Sequence, residues 1–330
     1  MPPQAFAGGI FSKEQYKRNI EMTKKILVAT EKPFAPEAIN LMKAAIAGNS
    51  EYELVLLEKY KEVSEFKAAV KNVDALIVRS DLASKEIIEA AENLKIIVRA
   101  GAGYDNIDLA AATAKNIVAM NTPGQNANAV AELGIGLMIM AARNMYNGKP
   151  GTEISGKKFG IYGYGAIGKI MLRYAKSIGM ETFAYSRSLT KEISDQNGFK
   201  YCKNLEELFS SCNYVSLHIP AVEETKKSIN YELMSKMPKN ATLVNTARKE
   251  IICEEGLKKM LAERKDFKYV SDIEPACAEE LKKEYPDRVY FTVKKLGAQT
   301  AEANVLAGIA AVKQIVCFFE AGDRTFQVNK

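Results

Sequence analysis

The chain has 330 residues, 47% of them hydrophobic, which is too long for a typical single domain and sufficient for two buried cores. Its formal net charge of +6 is spread along the sequence, which argues against a nucleic-acid-binding stripe and is compatible with a small anionic substrate. The five cysteines are odd in number and include no Cys-x-x-Cys pair, so neither a disulfide framework nor a metal site is expected.

Residues 1–24 lack the apolar core of a signal peptide, and their mixed charges predict a loose surface extension, with a short transit peptide as the alternative. No apolar run is expected to have the length of a membrane span, and the longest, within Val130–Ala142, predicts a buried helix. Together with the cysteine usage, these features predict a cytoplasmic protein that has no membrane partner.

Short apolar runs alternate with helical segments from Lys25 to about residue 123, as is typical of a parallel sheet covered on both faces. The predicted strands are Lys25–Ala29, Tyr52–Leu57, Ala75–Val78 and Leu94–Arg99. The predicted helices are Pro36–Ala47, Glu62–Lys71 and Lys85–Ala91. The Pro-Gly pair in Thr122-Pro123-Gly124 predicts a turn at which the chain enters a second domain.

The second half repeats this alternation between two long apolar helices, roughly Asn128–Met145 and Ala301–Phe319. Its predicted strands are Lys158–Tyr162, Glu181–Tyr185, Tyr214–Leu217, Ala241–Asn245, Tyr269–Asp272 and Val289–Thr292. The sequence therefore predicts an α/β protein with two Rossmann-like, doubly wound parallel-sheet domains, one inserted in the other. Residues 124–299 form the predicted dinucleotide-binding domain. Residues 25–123 and 300–330, with a last strand at Arg324–Val328, form the predicted discontinuous substrate-binding domain.

A Gly-x-Gly-x-x-Gly spacing lies between an apolar strand and an amphipathic helix, which is the context of the dinucleotide-binding fingerprint. Gly163 permits the tight turn, Gly165 lets a pyrophosphate approach the backbone, and Gly168 lets the helix pack closely on the strand. The N–H groups of Ala166 and Ile167 at the start of the helix would bind the phosphates. The alternative is a tight turn that binds no ligand.

Five further motifs accompany the fingerprint in a fixed order. They are Val98–Asp108, Asn121–Asn126, Ser216–Pro220, Asn245–Arg248 and Leu296–Thr300. With this set, the chain resembles the D-2-hydroxyacid dehydrogenase family from residue 25 to residue 330, and most closely its phosphoglycerate dehydrogenase branch. The resemblance implies an inserted coenzyme domain and a homodimer paired through the coenzyme domains. The helix near Asn128–Met145 is then a candidate for the dimer surface, or alternatively an ordinary core helix.

The resemblance assigns Arg248 to the carboxylate and carbonyl of the substrate, to which a planar guanidinium can donate two hydrogen bonds. Where most members have a catalytic histidine, this chain has Lys295, with Lys294 beside it as a second candidate. A lysine can exchange a proton with the substrate hydroxyl when burial or neighbouring cations lower the pKa of its ammonium. Such a lysine is known among short phosphoglycerate dehydrogenases, so Lys295 is the expected acid and base. The alternative for Arg248 is a surface salt bridge, and the alternative for Lys294 and Lys295 is a pair of solvated side chains at a strand end.

The carboxylate that partners the family's histidine has a weak counterpart here. Glu274 matches it only if residues are skipped, and an ungapped comparison places Cys277 at that position. Because a lysine has no tautomer for a carboxylate to fix, the loss of both members together is physically consistent. The only histidine, His218, is expected to pack or hydrogen bond beside the coenzyme, and Lys249 stands where most members have glycine.

The first domain carries the predicted substrate-binding residues. Arg79 and Ser80 follow one strand and Arg99 another, and both arginines match family positions near the phosphate of the substrate. The backbone of Gly101-Ala102-Gly103 would form a small anion nest for the carboxylate. A single arginine could serve in a structural ion pair. Two arginines in equivalent positions favour a phosphorylated substrate, 3-phosphoglycerate over glyoxylate.

An NAD-binding domain usually has an acidic residue about 20 residues after the glycines, where it binds the ribose hydroxyls. This chain has Ser186-Arg187-Ser188 there, so no carboxylate repels a 2′-phosphate, and Arg187 could pair with one. The coenzyme is therefore NAD, as is usual in the family, or NADP, which these residues favour. In the NAD alternative, Arg187 is solvated and Ser186 binds the ribose. The resemblance adds further coenzyme contacts at Ile219, Thr246, Ala247 and Asp272.

The leading hypothesis is oxidation of 3-phosphoglycerate to 3-phosphohydroxypyruvate, a step of serine biosynthesis, by a cytoplasmic homodimer. One alternative is an NADP(H)-dependent reductase of hydroxypyruvate or glyoxylate, which the segment Ser186-Arg187-Ser188 favours. Another is a non-catalytic, dinucleotide-sensing binding protein, which the missing histidine favours and the retained Arg248 disfavours.

Overall fold

The computed structural model describes residues 23–329, which form two compact units. The first unit runs to Gln125 and resumes at Asn304, and the second comprises Asn126–Ala303. The predicted N-terminal extension lies outside the described residues except for Thr23 and Lys24, and Lys24 already belongs to the first strand. The assignment of residues 124–299 to the coenzyme and of the remaining residues to the substrate stays a prediction.

The first unit contains a sheet of five parallel strands in the order β2-β1-β3-β4-β5. Its strands are β1 (Lys24–Thr30), β2 (Tyr52–Glu58), β3 (Ala75–Val78), β4 (Ile96–Arg99) and β5 (Val118–Asn121). Its helices before Gln125 are α1 (Pro36–Ala44), α2 (Val63–Val70), α3 (Lys85–Ala90) and α4 (Leu109–Ala114). The sequence did not predict β5, because a four-residue strand directly after a short helix gives little periodicity.

The second unit contains a sheet of seven parallel strands in the order β12-β11-β10-β9-β6-β7-β8. Its strands are β6 (Lys158–Tyr162), β7 (Glu181–Tyr185), β8 (Lys200–Tyr201), β9 (Tyr214–Leu217), β10 (Thr242–Asn245), β11 (Lys268–Ser271) and β12 (Val289–Phe291). Its helices are α5 (Ala127–Ala142), α6 (Ala166–Ser177), α7 (Lys191–Asn197), α8 (Leu205–Ser211), α9 (Tyr231–Ser235), α10 (Glu254–Glu263) and α11 (Ala278–Glu284). The predicted α/β class with two parallel sheets was confirmed.

A long helix, α12 (Ala301–Ala321), continues into the first unit, where Ala307, Ala311 and Ile315 are buried in the core. By length and composition it is the one helix of residues 23–329 that could cross a membrane, so the prediction that no apolar run has this length was wrong. This is weak evidence for a membrane span, because a core helix passes the same test and part of α12 packs in that core.

The predicted strand Arg324–Val328 was also wrong. The segment forms only an isolated antiparallel bridge between Gln327 and Met120, and the Val328 N–H donates to the carbonyl of Ala119 at 2.8 Å. The Asp323 carboxylate accepts a hydrogen bond from the Thr325 N–H at 2.9 Å, which turns the chain before an extended run can form.

Both faces of each sheet are buried, because the strands are short apolar runs. In β1, Ile26 and Val28 belong to one core layer and Leu27 and Ala29 to the opposite layer, and none of these side chains is exposed. Each such side chain larger than alanine contributes about 1.5–3 kcal/mol on burial. Since all strands in a sheet run parallel, their carboxyl ends share one edge, which is where open α/β sheets bind ligands.

Candidate functional site

The turn between β6 and α6 has the geometry that the glycine fingerprint requires. Gly163 has a φ of +107°, and a Cβ there would lie 2.5 Å from the carbonyl oxygen of His218. A Cβ on Gly168 would lie 2.2 Å from the carbonyl oxygen of Gly163, so only glycine lets the helix start this close to the turn. A Cβ on Gly165 would meet no atom within 4 Å, which leaves the backbone there open to a ligand.

The predicted phosphate-binding groups lie at the start of α6. Ala166 and Ile167 are the first two residues of this 12-residue helix, and they are exposed and half-buried, respectively. The first N–H groups of a helix have no acceptor within the helix, and the helix dipole adds a partial positive charge at this end. The turn therefore suits an anionic pyrophosphate.

Buried polar atoms lie along the carboxyl edge of the second unit's sheet. The register pairs Leu217 and Ser271 with Asn245, so the residues that follow these three also lie side by side. The buried atoms at these next positions that lack a hydrogen-bond partner among the described residues are both ring nitrogens of His218, Thr246 Oγ1 and Asp272 Oδ1. Because buried polar groups are almost always hydrogen-bonded, these atoms can contact a ligand.

Two cationic side chains meet on one backbone carbonyl after β10. An Nη of Arg248 donates to the carbonyl oxygen of Ala247 at 2.9 Å, and Lys295 Nζ donates to the same oxygen at 2.8 Å. The buried Asn245 fixes this turn, because its amide donates to the carbonyl of Arg248 at 2.9 Å and accepts from the N–H of Ala247 at 3.0 Å. No role was predicted for Asn245, although an asparagine at a strand end is a signal of such a turn.

Asp272 is the carboxylate that interacts electrostatically with both cations. Its side chain is fully buried, and Oδ2 accepts from the N–H of Gly297 at 2.9 Å. Burial raises the pKa of Asp272 above its usual range, and the charges of Lys295 and Arg248, together with the Gly297 hydrogen bond, offset part of that increase. The sequence had assigned Asp272 to the coenzyme only.

The other predicted acid–base candidates have different surroundings. Glu274 forms an ion pair with Lys282 of α11, and Lys294 is exposed, whereas Lys295 is half-buried. Burial raises the pKa of Cys277 to about 12, so this residue is a neutral thiol at physiological pH and cannot supply a negative charge. The roles predicted for Glu274 and Lys295 stay predictions.

His218 is neutral throughout the physiological range, because burial lowers its pKa to about 3. Its backbone N–H donates to the carbonyl of Tyr162 at 2.8 Å, which fixes it beside the glycine turn. The neighbouring Ile219 is half-buried, and its Cγ2 lies 3.1 Å from where a Cβ on Gly163 would be. Both residues therefore border the turn that is predicted to bind the pyrophosphate.

The residues predicted to select the coenzyme follow β7. The N–H of Gly163 donates to the carbonyl of Tyr185 at 2.9 Å, which brings the next residue, Ser186, close to the glycine turn. Ser186 is half-buried and Arg187 is exposed. Burial raises the pKa of Tyr162, and the positive charge of Arg187 offsets part of the increase, so this arginine lies near the end of β6.

In the first unit, the two predicted arginines are linked. Arg99 Nε donates to the carbonyl of Arg79 at 2.9 Å. The Arg79 guanidinium lies 5.1 Å from the ring centre of Phe34, and burial lowers its pKa while Asp81 opposes the change. A Cβ on Gly101 would lie 1.5 Å from an Nη of Arg99, so a larger residue there would displace this guanidinium from its place over the loop.

The loop after β4 presents part of the predicted anion nest. The Gly101 N–H already donates to the carbonyl of Arg99 at 2.8 Å, so the predicted contact with a carboxylate falls to Ala102 and Gly103. The carbonyl of Ala102 accepts from the side chain of Asn121 at 2.6 Å, which anchors the loop. Ala102 is exposed and Gly103 is half-buried.

The loop after β3 is held by a residue that the sequence did not single out. Asp81 is 8% exposed, and its Oδ1 accepts from the Glu31 N–H at 2.6 Å and from the Tyr60 hydroxyl at 2.8 Å. These contacts fix the loop that presents Arg79 and the exposed Ser80.

Comparison with known proteins gives a consistent match. Residues 124–290 match the model of the D-isomer specific 2-hydroxyacid dehydrogenase NAD binding domain. The chain is 36% identical over 269 residues to a D-3-phosphoglycerate dehydrogenase of Methanocaldococcus jannaschii, covering 76% of this chain but only 51% of that protein. It is also 36% identical over 280 residues to a hydroxypyruvate reductase of Thermotoga maritima, covering 80% of this chain and 90% of that protein.

Among solved structures, the chain resembles a cofactor-bound (NAD+) 3-phosphoglycerate dehydrogenase of Entamoeba histolytica with a TM-score of 0.81. The two are 45% identical, and the match covers 93% of this chain and 99% of that one. A D-2-hydroxyisocaproate dehydrogenase, 19% identical with a TM-score of 0.76, shares the fold.

Proposed function

The chain belongs to the D-isomer specific 2-hydroxyacid dehydrogenase family, and from this premise we propose that it oxidises 3-phosphoglycerate to 3-phosphohydroxypyruvate with a nicotinamide coenzyme. The observation that carries the proposal is the convergence of Arg248 and Lys295 on the carbonyl of Ala247, at the sheet edge that also bears the glycine turn. The M. jannaschii and E. histolytica relatives carry the name of this activity.

Residues of the second unit perform the proposed chemistry as follows. Arg248 binds the substrate carboxylate through its planar guanidinium and orients C2. The neutral amine of Lys295 accepts the hydroxyl proton as the C2 oxygen becomes a carbonyl, and its ammonium returns a proton in the reverse reaction. When bound, the coenzyme supplies the acceptor for the hydride that leaves C2. Hydride and proton together account for the two hydrogens that the alcohol loses.

The residues present fit a dinucleotide. Gly165 and the N-terminus of α6 suit the pyrophosphate. The buried Thr246 Oγ1 and Asp272 Oδ1, which have no hydrogen-bond partner among residues 23–329, suit polar groups of the nicotinamide half. Asp272 Oδ1 can accept an amide N–H when the carboxyl is ionised, and Lys295 and Arg248 favour that form.

Two features of the first unit support a phosphorylated substrate. Arg79 follows β3 and Arg99 is the last residue of the neighbouring β4, and the hydrogen bond from Arg99 to the Arg79 carbonyl keeps the two together. Guanidinium groups bind phosphate through two parallel hydrogen bonds, which a non-phosphorylated acid such as glyoxylate would not use.

An NADP(H)-dependent reductase of hydroxypyruvate or glyoxylate is the second candidate, and the exposed Arg187 after β7 favours it. The T. maritima relative is named a hydroxypyruvate reductase.

Steady-state assays test both functions: oxidation of 3-phosphoglycerate, and reduction of hydroxypyruvate and of glyoxylate, each with both coenzymes. Preferential turnover of 3-phosphoglycerate supports the first function, and turnover of the reductase substrates alone supports the second. Absence of turnover with every pair rejects both.

The proposed assembly is a cytoplasmic homodimer. Exposed apolar side chains at the end of α5 and just beyond it support pairing through the second unit, since Ile139 is 39% exposed and Tyr146 is 66% exposed. Sedimentation of the wild type and, separately, of an Ile139→Asp, Tyr146→Asp double variant tests this. We expect the variant to be a monomer. An unchanged oligomeric state would reject this face as the dimer surface.

A further inference from the structure

A cavity of about 720 Å³ lies in the second unit at the amino-terminal edge of the sheet. Its lining includes Tyr214, Thr242 and Lys268, which are the first residues of β9, β10 and β11. The coenzyme- and substrate-binding residues proposed in this unit follow the carboxyl ends of its strands, at the opposite edge of the sheet, so the proposed function does not use this cavity. Its volume is within the range of about 300–1,000 Å³ that is usual for small-molecule sites.

The lining of this cavity is strongly basic. It carries three carboxylates, from Asp266, Glu284 and Asp287, against six cations, which gives a net charge of +3. The cations are Lys149, Lys157, Lys239, Lys265, Lys268 and Arg288. Asp266 is already neutralised by Arg264 at 2.7 Å, and Asp287 by Lys149 at 3.1 Å, so the remaining positive charge has little internal compensation.

Lys157 and Lys268 are the half-buried lysines of this cavity, and among residues 23–329 neither forms an ion pair. Lys157 Nζ donates to Thr152 Oγ1 at 2.9 Å, and Lys268 Nζ donates to the carbonyl of Ala141 at 2.6 Å and to Asn144 Oδ1 at 2.7 Å. All three acceptors are neutral. Burial lowers the pKa of both lysines, and the charge of Lys157 lowers that of Lys268 further. The more distant carboxylates of Glu153 and Asp287 offset part of the decrease in Lys157 and Lys268, respectively.

We propose that this lysine cavity is a second anion site, which binds a small phosphate-bearing molecule between Lys157 and Lys268. An anion there would relieve the repulsion between the two ammonium groups and supply the ion-pair partner that neither has among the described residues. The amide groups of Asn147, Asn213 and Asn240 line the same cavity and can donate further hydrogen bonds to phosphate oxygens. The charge lies within a concavity rather than along a stripe, which fits a small molecule better than a nucleic acid.

Calorimetric titration with inorganic pyrophosphate tests this site in the full chain. Saturating NADH is present throughout, so that the glycine turn is occupied. We expect two saturable sites in the wild type, one at the arginine pair Arg79 and Arg99 and one in the cavity. The double variant Lys157→Met, Lys268→Met should weaken only the second by about tenfold or more, because lysine contributes to phosphate binding as a point charge. The matched control Lys203→Met, Lys283→Met removes two exposed lysines of the same unit and should leave the affinity unchanged.

Two further measurements separate loss of the site from loss of the fold. The double variant should still bind NADH and unfold cooperatively, and Lys157→Arg, Lys268→Arg should retain pyrophosphate binding. If the double variant does not fold, Lys157→Met alone serves, since the Lys157 ammonium donates to a single side chain among residues 23–329, that of Thr152. The proposal is overturned if wild type shows no second saturable site beside NADH, or if the methionine variant that folds binds pyrophosphate at both sites as tightly as wild type. These outcomes are independent of catalytic turnover.

Discussion

Arg248 and Lys295 donate hydrogen bonds to the same acceptor, the carbonyl oxygen of Ala247, at 2.9 and 2.8 Å. Two cations on one carbonyl repel each other, and such repulsion favours the neutral form of an amine. The same pair would attract an anionic substrate, and Asp272 supplies a nearby carboxylate that offsets part of the charge. The arrangement is therefore consistent with the roles proposed for the two residues, substrate binding by Arg248 and proton exchange by Lys295.

Replacing Lys295 tests its proposed role as acid and base. Lys295→Ala should lower kcat by about 10²-fold or more, because a positioned proton donor or acceptor contributes in that range. Lys294→Ala is the matched control, because Lys294 is exposed, and it should leave kcat within about twofold of wild type. Steady-state kinetics with 3-phosphoglycerate check both variants. Near-normal turnover of Lys295→Ala would move the role to another residue.

The pH dependence should have opposite signs in the two directions of the reaction. In the proposed mechanism oxidation needs the neutral amine of Lys295, so its initial rate should rise from pH 7 toward about pH 10, whereas reduction needs the ammonium and should fall over that range. His218 will not contribute, because burial lowers its pKa to about 3 and it stays neutral throughout. Rate profiles in both directions check this, and an oxidation rate that does not change with pH would contradict it.

Asp272 should make the folded protein less stable at neutral pH than an asparagine would. Because burial raises its pKa above the ordinary value of 3.8, the folded state holds this proton more tightly than the unfolded state. Its contribution to stability is therefore lost as pH rises from about 4 through the raised pKa. Asp272→Asn should raise the free energy of unfolding at pH 7 and have a smaller effect near pH 4, as urea unfolding would measure.

Asp266→Asn serves as the control, because it should change the free energy of unfolding at pH 7 in the opposite direction. Hydrogen bonds from Arg264 lower the pKa of Asp266, so its stabilisation is present at neutral pH and is lost as pH falls below about 4. Its replacement should therefore destabilise the protein at pH 7. A stabilising effect of Asp266→Asn, or a destabilising effect of Asp272→Asn at pH 7, would show that the burial and charge argument fails.

Arg187 should decide between the two coenzymes. If it binds a 2′-phosphate, Arg187→Ala should weaken NADP binding by about tenfold, the value expected for one charge-assisted hydrogen bond, and leave NAD binding unchanged. Arg173→Ala removes an exposed arginine of α6 and serves as the control. Fluorescence titration with the two reduced coenzymes measures both affinities. Equal effects of Arg187→Ala on the two coenzymes would reject the phosphate contact.

The sequence predicted those parts of the molecule that depend on local pattern. The apolar runs predicted most strands, the glycine spacing predicted the turn at Gly163, and the resemblance of the ordered motifs to a known family predicted the family. It did not predict contacts between distant segments. The meeting of Lys295 with the carbonyl of Ala247 depends on how two loops fold toward one sheet edge, and the pairing of Glu274 with Lys282 depends on where α11 begins. The predicted strand at Arg324–Val328 failed because strand formation needs a partner along its whole length.

The glycines of the fingerprint should separate fold from coenzyme binding. A Cβ on Gly168 would lie 2.2 Å from a backbone oxygen, so Gly168→Ala should destabilise the protein by about 1–3 kcal/mol and distort the turn. A Cβ on Gly165 would meet no atom within 4 Å, and its φ of −89° suits any residue, so Gly165→Ala should fold as stably as wild type. If a pyrophosphate occupies that open space, Gly165→Ala should nevertheless weaken binding of both NAD and NADP. Thermal unfolding and coenzyme titration of the two variants measure these effects, and normal coenzyme affinity in a folded Gly165→Ala would place the pyrophosphate elsewhere.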